Sequence, residues 1–214
     1  MDRALILIGG GGHARVVAEA VASKTGIYRL IGYVDPDAGD ERMRQYDLAW
    51  LGDDEAVGKH PGAWGVLGVG ALGPGRQRRE IVSRLEPSLA GWASVVHRTA
   101  YVSPTATVGH GSVILAGAIL QSGVRIGAHC VVNDGAVVEH DVVLGDYAMV
   151  GPGAVVGGGA IVGSGAFVGL RAVIRDHRSV GDEALVGMGA VVVTDVDAGA
   201  VVIGNPARRQ RRWE

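Results

Sequence analysis

His140 and Asp141 stand side by side in the chain. An imidazole titrates near neutrality and suits general-base work. A carboxylate next to it can fix its tautomer and stabilise the imidazolium. The plain alternative is a solvated surface histidine beside an acid, and residue types by themselves leave both open. A second group lies near the start. Gly9, Gly10, Gly11 and Gly12 precede His13, and Asp35 follows about 20 residues later. A glycine turn lets backbone N–H groups approach an anion, and a helix starting there adds its positive end. An acid after a second strand can accept hydrogen bonds from a ribose or a base. These residues read as a site for something nucleotide-like; the alternative is glycines that only tighten a strand-to-helix turn. Cys130 is the only cysteine. It rules out an internal disulfide, fits a reducing cytosol and reads as buried core, not as a nucleophile. His60 and His97 have no partner pattern, and His110, His129 and His177 read as surface corners.

Two kinds of element must position these groups. Every sixth residue from Val102 to Val192 is Val, Ile or Leu without a gap. The residue two places earlier is usually small, as at Ala118, Cys130, Ala136 and Ala154, and the residue just after is often Gly. A strict period of six is neither helical nor simple alternation; it predicts a hexapeptide parallel β-helix. Three short strands close an 18-residue triangular coil, and coils stack roughly 4.8 Å apart. About five coils fit between Val102 and Val192. Gly after the aliphatic is expected to permit the tight corner, because it lacks the Cβ that forbids unusual φ/ψ. In this frame His140 lies two residues past an inward aliphatic, so it sits on a corner. Gly158 is 18 residues later, at the same corner one coil on. Leu170 and Met188 are also 18 apart and stack on another corner.

The first hundred residues read differently. Leu5 to Ile8 is a buried parallel strand. Ala14, Val17, Ala18 and Val21 recur at helical spacing, and Leu30 to Val34 is a second strand ending at Asp35. Gly9, Gly11 and Ala14 satisfy G-x-G-x-x-G/A. Further strands are expected at Gly65–Val69 and near Val95, with a helix from Arg76 to Leu85. This is half of a Rossmann domain plus a little more, so a complete NAD site is not expected. The expected division is an α/β half-Rossmann domain over residues 1–95 and an all-β prism over 96–214.

The 214 residues carry a net charge of −2, which makes no broad case for nucleic acid. Arg208, Arg209, Arg211 and Arg212 read as a solvated basic end, or as neighbours of a cofactor's phosphates. No apolar run is long enough to span a bilayer.

A half-Rossmann domain running straight into a hexapeptide prism resembles the bacterial sugar acetyltransferases of the NeuD/PglD type, within the hexapeptide acyltransferase superfamily. The resemblance rests on Gly10–Val17, Gly32-Tyr33-Val34-Asp35, Val137–Asp141, Gly151-Pro152-Gly153-Ala154 and Gly204–Arg208. It implies a left-handed β-helix and a homotrimer; the cytoplasmic location is expected from the lone Cys130. It implies that His140 is the general base and Asp141 its orienting acid. It places the nucleotide-sugar on Gly10, Gly11, Gly12, His13 and Asp35. It places acetyl-CoA between neighbouring subunits, against Gly158, Leu170 and Met188. A second histidine that the family often carries beside the cofactor is Met149 here. The segment Gly70 to Gly75 replaces the family's glycine–asparagine segment, so sugar specificity is expected to differ.

The resulting expectation is N-acetylation of a UDP- or GDP-linked 4-amino-4,6-dideoxy sugar by direct attack, with no metal. O-acetylation of sialic acid and a non-catalytic nucleotide-sugar-binding trimer are the alternatives. A metal-dependent hydratase on the same prism lacks its clustered histidine pair, and an oxidoreductase lacks the second Rossmann half.

Overall fold

The structure is a computed structural model that describes residues 2–24, 26–37, 41–70 and 75–210. A parallel sheet comes first, from β1 (Arg3–Ile8), β2 (Tyr28–Val34), β3 (Trp50–Gly52), β4 (Trp64–Leu67) and β5 (Gly91–Trp92), in the order β3-β2-β1-β4-β5. Helix α1 (Gly12–Ala22) follows β1, and α2 (Arg76–Leu85) follows β4. The apolar positions of α1 bury Ala14, Val17, Ala18 and Val21, as their spacing predicts. The sequence shows β1, β2, β4 and α2 but not β3 or β5, which have three and two residues, too few for a periodic signal. The strand near Val95 exists, yet Val95–Val96 pairs with Val113–Ile114 and opens the second body.

That second body is a left-handed parallel β-helix of hexapeptide repeats. Its two-residue strands pair 18 residues apart in register, as in Val131↔Met149 and Val137↔Val155. The first face runs from Val95–Val96 to Val201–Ile203 and ends with antiparallel Arg208–Gln210. The second face runs from Tyr101–Val102 to Val191–Val192, and the third from Thr107–Val108 to Ser179–Val180. The aliphatic series and the small residues two places before it fill the prism, with Val138, Ala154, Val156 and Cys130 fully buried. Burial pushes the Cys130 thiol up to about 12, which makes it inert.

The glycine after each aliphatic has a different purpose from the one its position implies. None of these glycines has positive φ. They are bare because the next coil lies on top: a Cβ on Gly145 would meet the Ser164 nitrogen at 2.6 Å, and one on Gly109 the Gly127 carbonyl carbon at 2.5 Å. Backbone cannot swing aside as a side chain can. Gly145→Ala is therefore expected to cost about 1–3 kcal/mol by overpacking, each kcal/mol read as a Tm drop of about 2–4 °C by calorimetry. An unchanged Tm would refute the stacking account.

The left-handed residue of each corner comes three places after the aliphatic. Gly fills this slot at eight corners from Gly111 to Gly189. Six corners carry His129, Asp141, Tyr147, Arg171, His177 and Glu183 instead, at φ of 53–62°. An L-residue there costs about 1–2 kcal/mol. A side chain in this slot lies over the same slot one coil earlier, which is Gly beneath five of the six. The exception is Tyr147, which stacks on the His129 ring at 5.0 Å and 13°.

Three of the six join the two bodies. Arg78, on α2, is fully buried and donates from Nη2 to the His129 carbonyl at 2.7 Å and from Nη1 to the Tyr147 carbonyl at 3.4 Å. Arg79 pairs with Glu183 and lies over the Tyr147 ring at 5.3 Å. His129 is 2% exposed, wedged against Tyr147, Trp92 of β5 and His110. It is not the surface corner that its hexapeptide position implies, because the sheet domain docks on that corner. His110 and His177 are exposed.

Candidate functional site

The corner between the second and third faces carries the first site. His140 follows strand Val137–Val138, and its Nδ1 lies 3.0 Å from Asp141 Oδ2. An ionised carboxylate only accepts, so Nδ1 carries the proton and Nε2 presents its lone pair. Asp141 reaches back to its own neighbour because it occupies the left-handed slot, at φ 60°. Gly123, one coil earlier, leaves room for its Oδ1. The imidazole lies over Gly158, where a Cβ would come within 2.6 Å of Nε2. Spacing alone placed Gly158 at this corner; the structure adds that its missing side chain is the seat of the ring. The Gly158 N–H donates to no group among the described residues. His140 is 57% and Asp141 73% exposed.

The second site is a cleft of about 550 Å³ beyond the carboxyl ends of β1, β2 and β4. Gly9, Gly11, Gly12, His13 and Asp35 line it, with Pro36, Asp54 and Arg84. Gly11 caps α1 without a side-chain bond, and no acid stands in its first turn, so the helix N-terminus is open to an anion. Asp35 accepts from the Gly10 N–H at 2.7 Å and the Asp37 N–H at 3.0 Å, which braces the glycine turn. Gly10 is absent from the lining. It packs on Tyr33, where a Cβ would meet the ring at 3.0 Å.

His13 joins this cleft to a smaller one of about 210 Å³ that Asn133, Met149, Pro152, Phe167 and Leu170 line on the prism. Gly70 borders both; residues 71–74 of the segment expected to alter sugar specificity, and Arg211 and Arg212 of the basic end, lie outside the described residues. Arg208 and Arg209 are exposed. Met149 is buried on the first face, whereas Leu170 and Met188 are 37% and 66% exposed at the corner between the first and second faces. One protomer does not bring His140 to this cleft, since its corner lies opposite the first face.

Burial, then the nearby Arg78 charge, lowers His13 from 6.5 to about 4, and burial followed by His110 lowers His129 to about 4. Both stay neutral when folded at pH 5, while the unfolded chain takes up protons there. The unfolded state binds more protons, so stability rises with pH across this window. It should be fully present above about 6.5 and decline as pH falls towards about 4. Urea unfolding at pH 7, 6 and 5 reads this, and a midpoint constant over that range would contradict it. Arg78, His129 and Tyr147 carry no motif in the sequence. For His129 and Tyr147 the signal is the replacement of Gly in the left-handed slot; Arg78, on α2, has none.

Residues 4–85 match the PglD N-terminal domain family, and residues 123–158 match the bacterial transferase hexapeptide (six repeats) family. No curated protein matches the chain. The acetyltransferase domain of PglB from Neisseria gonorrhoeae, in complex with acetyl coenzyme A, is 30% identical, with a TM-score of 0.89 over 98% of this chain and 100% of that one. PerB from Caulobacter crescentus, in complex with CoA and GDP-perosamine, is 30% identical, with a TM-score of 0.86 over 97% of both chains. WeeI from Acinetobacter baumannii AYE is 25% identical, with a TM-score of 0.84 over 97% of this chain and 100% of that one. Two structures of the Caulobacter GDP-perosamine N-acetyl transferase have a histidine replaced by alanine or asparagine, with CoA and GDP-perosamine bound.

Proposed function

Because the chain belongs to the NeuD/PglD-type bacterial sugar acetyltransferases, we propose that it N-acetylates a nucleotide-linked 4-amino-4,6-dideoxy sugar, with His140 as general base. The observation that carries this is the His140–Asp141 hydrogen bond with Nε2 held over bare Gly158. Support for the nucleotide end comes from the open N-terminus of α1 at the glycine turn.

The residues present suit acetyl-CoA as co-substrate. Gly158 leaves a notch beside the base, and exposed Leu170 and Met188 offer apolar contacts along the axis. When bound, it supplies an activated acetyl carbon and a thiolate leaving group. His140 Nε2 takes the proton of the acceptor amine as the amine attacks. Asp141 holds the tautomer and stabilises the imidazolium. The Gly158 N–H is the donor for the developing oxyanion. His13, neutral and at the mouth between the two clefts, orients the sugar without adding charge.

The active unit is a homotrimer. His140 needs a neighbour's cleft to face, and Ile161, 50% exposed on the third face, leaves apolar surface beside it for that neighbour. Both reactants carry several phosphates and do not cross a bilayer unaided, which supports a cytoplasmic reaction. Among the described residues no helix is long and apolar enough to cross a membrane.

The deciding experiment is thiol release from acetyl-CoA over a panel of UDP- and GDP-linked amino sugars, free amino sugars and sialic acid. Turnover on a nucleotide-linked amine supports the reading. Turnover on sialic acid alone would replace it with O-acetylation, and none on any acceptor would leave a binding protein.

A further inference from the structure

Six corners put a side chain in the left-handed slot, and four of the six have a partner within the chain. His129 and Tyr147 stack on each other and receive Arg78. Glu183 pairs with Arg79, and Asp141 with His140. Arg171 and His177 have none: among the described residues neither side chain makes a hydrogen bond, an ion pair or a ring contact. Both are exposed. Their strained backbone therefore brings no return inside the protomer, where glycine would serve.

The two belong to one coil, on either side of strand Val173–Ile174 of the second face. Arg171 follows Leu170 and lies one coil below Gly189, the residue after Met188, whose N–H donates to the Leu170 carbonyl at 2.9 Å. His177 lies one coil above the catalytic notch; its N–H donates to the Gly158 carbonyl at 2.9 Å, and its ring covers Gly159. Between this coil and that of His140 lies a coil whose two corners carry Gly153 and Gly157 to Gly159. The second face therefore passes from Glu139 and Asp141, over a coil with glycine-rich corners and Val155 as its outward strand residue, to a basic coil roughly 10 Å higher. The same coil holds Arg175 and Arg178, but Asp176 stands 3.5 Å from the first and Asp195 3.5 Å from the second. Arg171 is the cation of that coil with no acid beside it.

We propose that Arg171 and His177 are phosphate contacts for CoA, binding its nucleotide end while its thioester lies at His140. This rests on the acetyl-CoA reading above. A guanidinium suits a phosphate through paired N–H donors, and an imidazole offers an N–H in either tautomer. The coil between them and His140 gives the intervening arm a low apolar floor, with glycine at most corner positions and only Pro152 and the part-exposed Val155 standing on it.

The test uses Arg171→Gly and His177→Gly, since glycine is the slot's ordinary occupant. Each should keep the trimer and its Tm, yet raise the Kd for CoA by about tenfold (1.4 kcal/mol) in titration calorimetry. The KM for acetyl-CoA should rise in parallel, that for the acceptor sugar should not, and Arg171→Lys should recover part of the loss. With acetyl-pantetheine, which lacks the nucleotide phosphates, variants and wild type should be alike. Unchanged CoA affinity in both variants overturns the proposal. So does an equal loss with acetyl-pantetheine, or dissociation to smaller species in light scattering, which would assign the strain to a subunit contact. A wild type that binds no CoA overturns the acetyl-CoA reading too; one that binds it, beside unchanged variants, overturns this inference alone.

Discussion

His140→Ala is expected to lower kcat by about 10²–10⁴-fold, the usual contribution of a positioned general base, with KM for both substrates little changed. The imidazole is on an exposed corner and covers only Gly158, so its removal opens no cavity and costs the fold little. Binding surfaces and the Gly158 N–H stay in place, which leaves residual turnover rather than none. Saturation kinetics beside calorimetry and light scattering separate chemistry from folding. Wild-type kcat in the variant would sink the general-base assignment. A fall in kcat that came only with loss of the proposed trimer would make the histidine structural.

Asp141→Gly should uncouple activity from stability. The carboxylate holds Nδ1–H at 3.0 Å and thereby leaves Nε2 free to accept. Without it the ring loses its preferred tautomer and its counter-charge. The expected loss is about 10–10³-fold in kcat, below the ~10⁴ of a fully buried triad acid, because solvent reaches a side chain that is 73% exposed. Stability should hold or rise, since glycine removes the left-handed strain at φ 60°. An ordinary structural acid would show the opposite pair of effects. A variant with undiminished kcat, or one that melts well below wild type, would remove Asp141 from the mechanism.

The six-residue period showed the prism, its inward aliphatics and the small residues beside them, because one repeated steric rule governs every coil. It also aligned His140 with Gly158 and Leu170 with Met188, since an offset of 18 residues is one turn of that repeat. The glycine turn and Asp35 were legible for a similar reason: strand, turn, helix and strand are consecutive in the chain. β3 and β5 were not, being too short for any pattern. His129 was misplaced for a more instructive reason. Its hexapeptide slot points outward, and nothing local reveals that another domain covers that particular corner. The glycines after the aliphatics were seen but explained by φ, whereas the next coil's backbone excludes their Cβ.

Composition and order of residues thus determined the two folds, the corner on which each polar group stands and the chemistry those groups can perform. Only the tertiary structure decided which corner became a domain joint through Arg78, which strained slots have partners, and that His140 faces away from the cleft of its own chain. The division has a physical cause. Repeat sterics and helix-start geometry act between neighbours at fixed offsets. Docking and the covering of a charge depend on surfaces far apart in the chain, whose meeting no periodicity records.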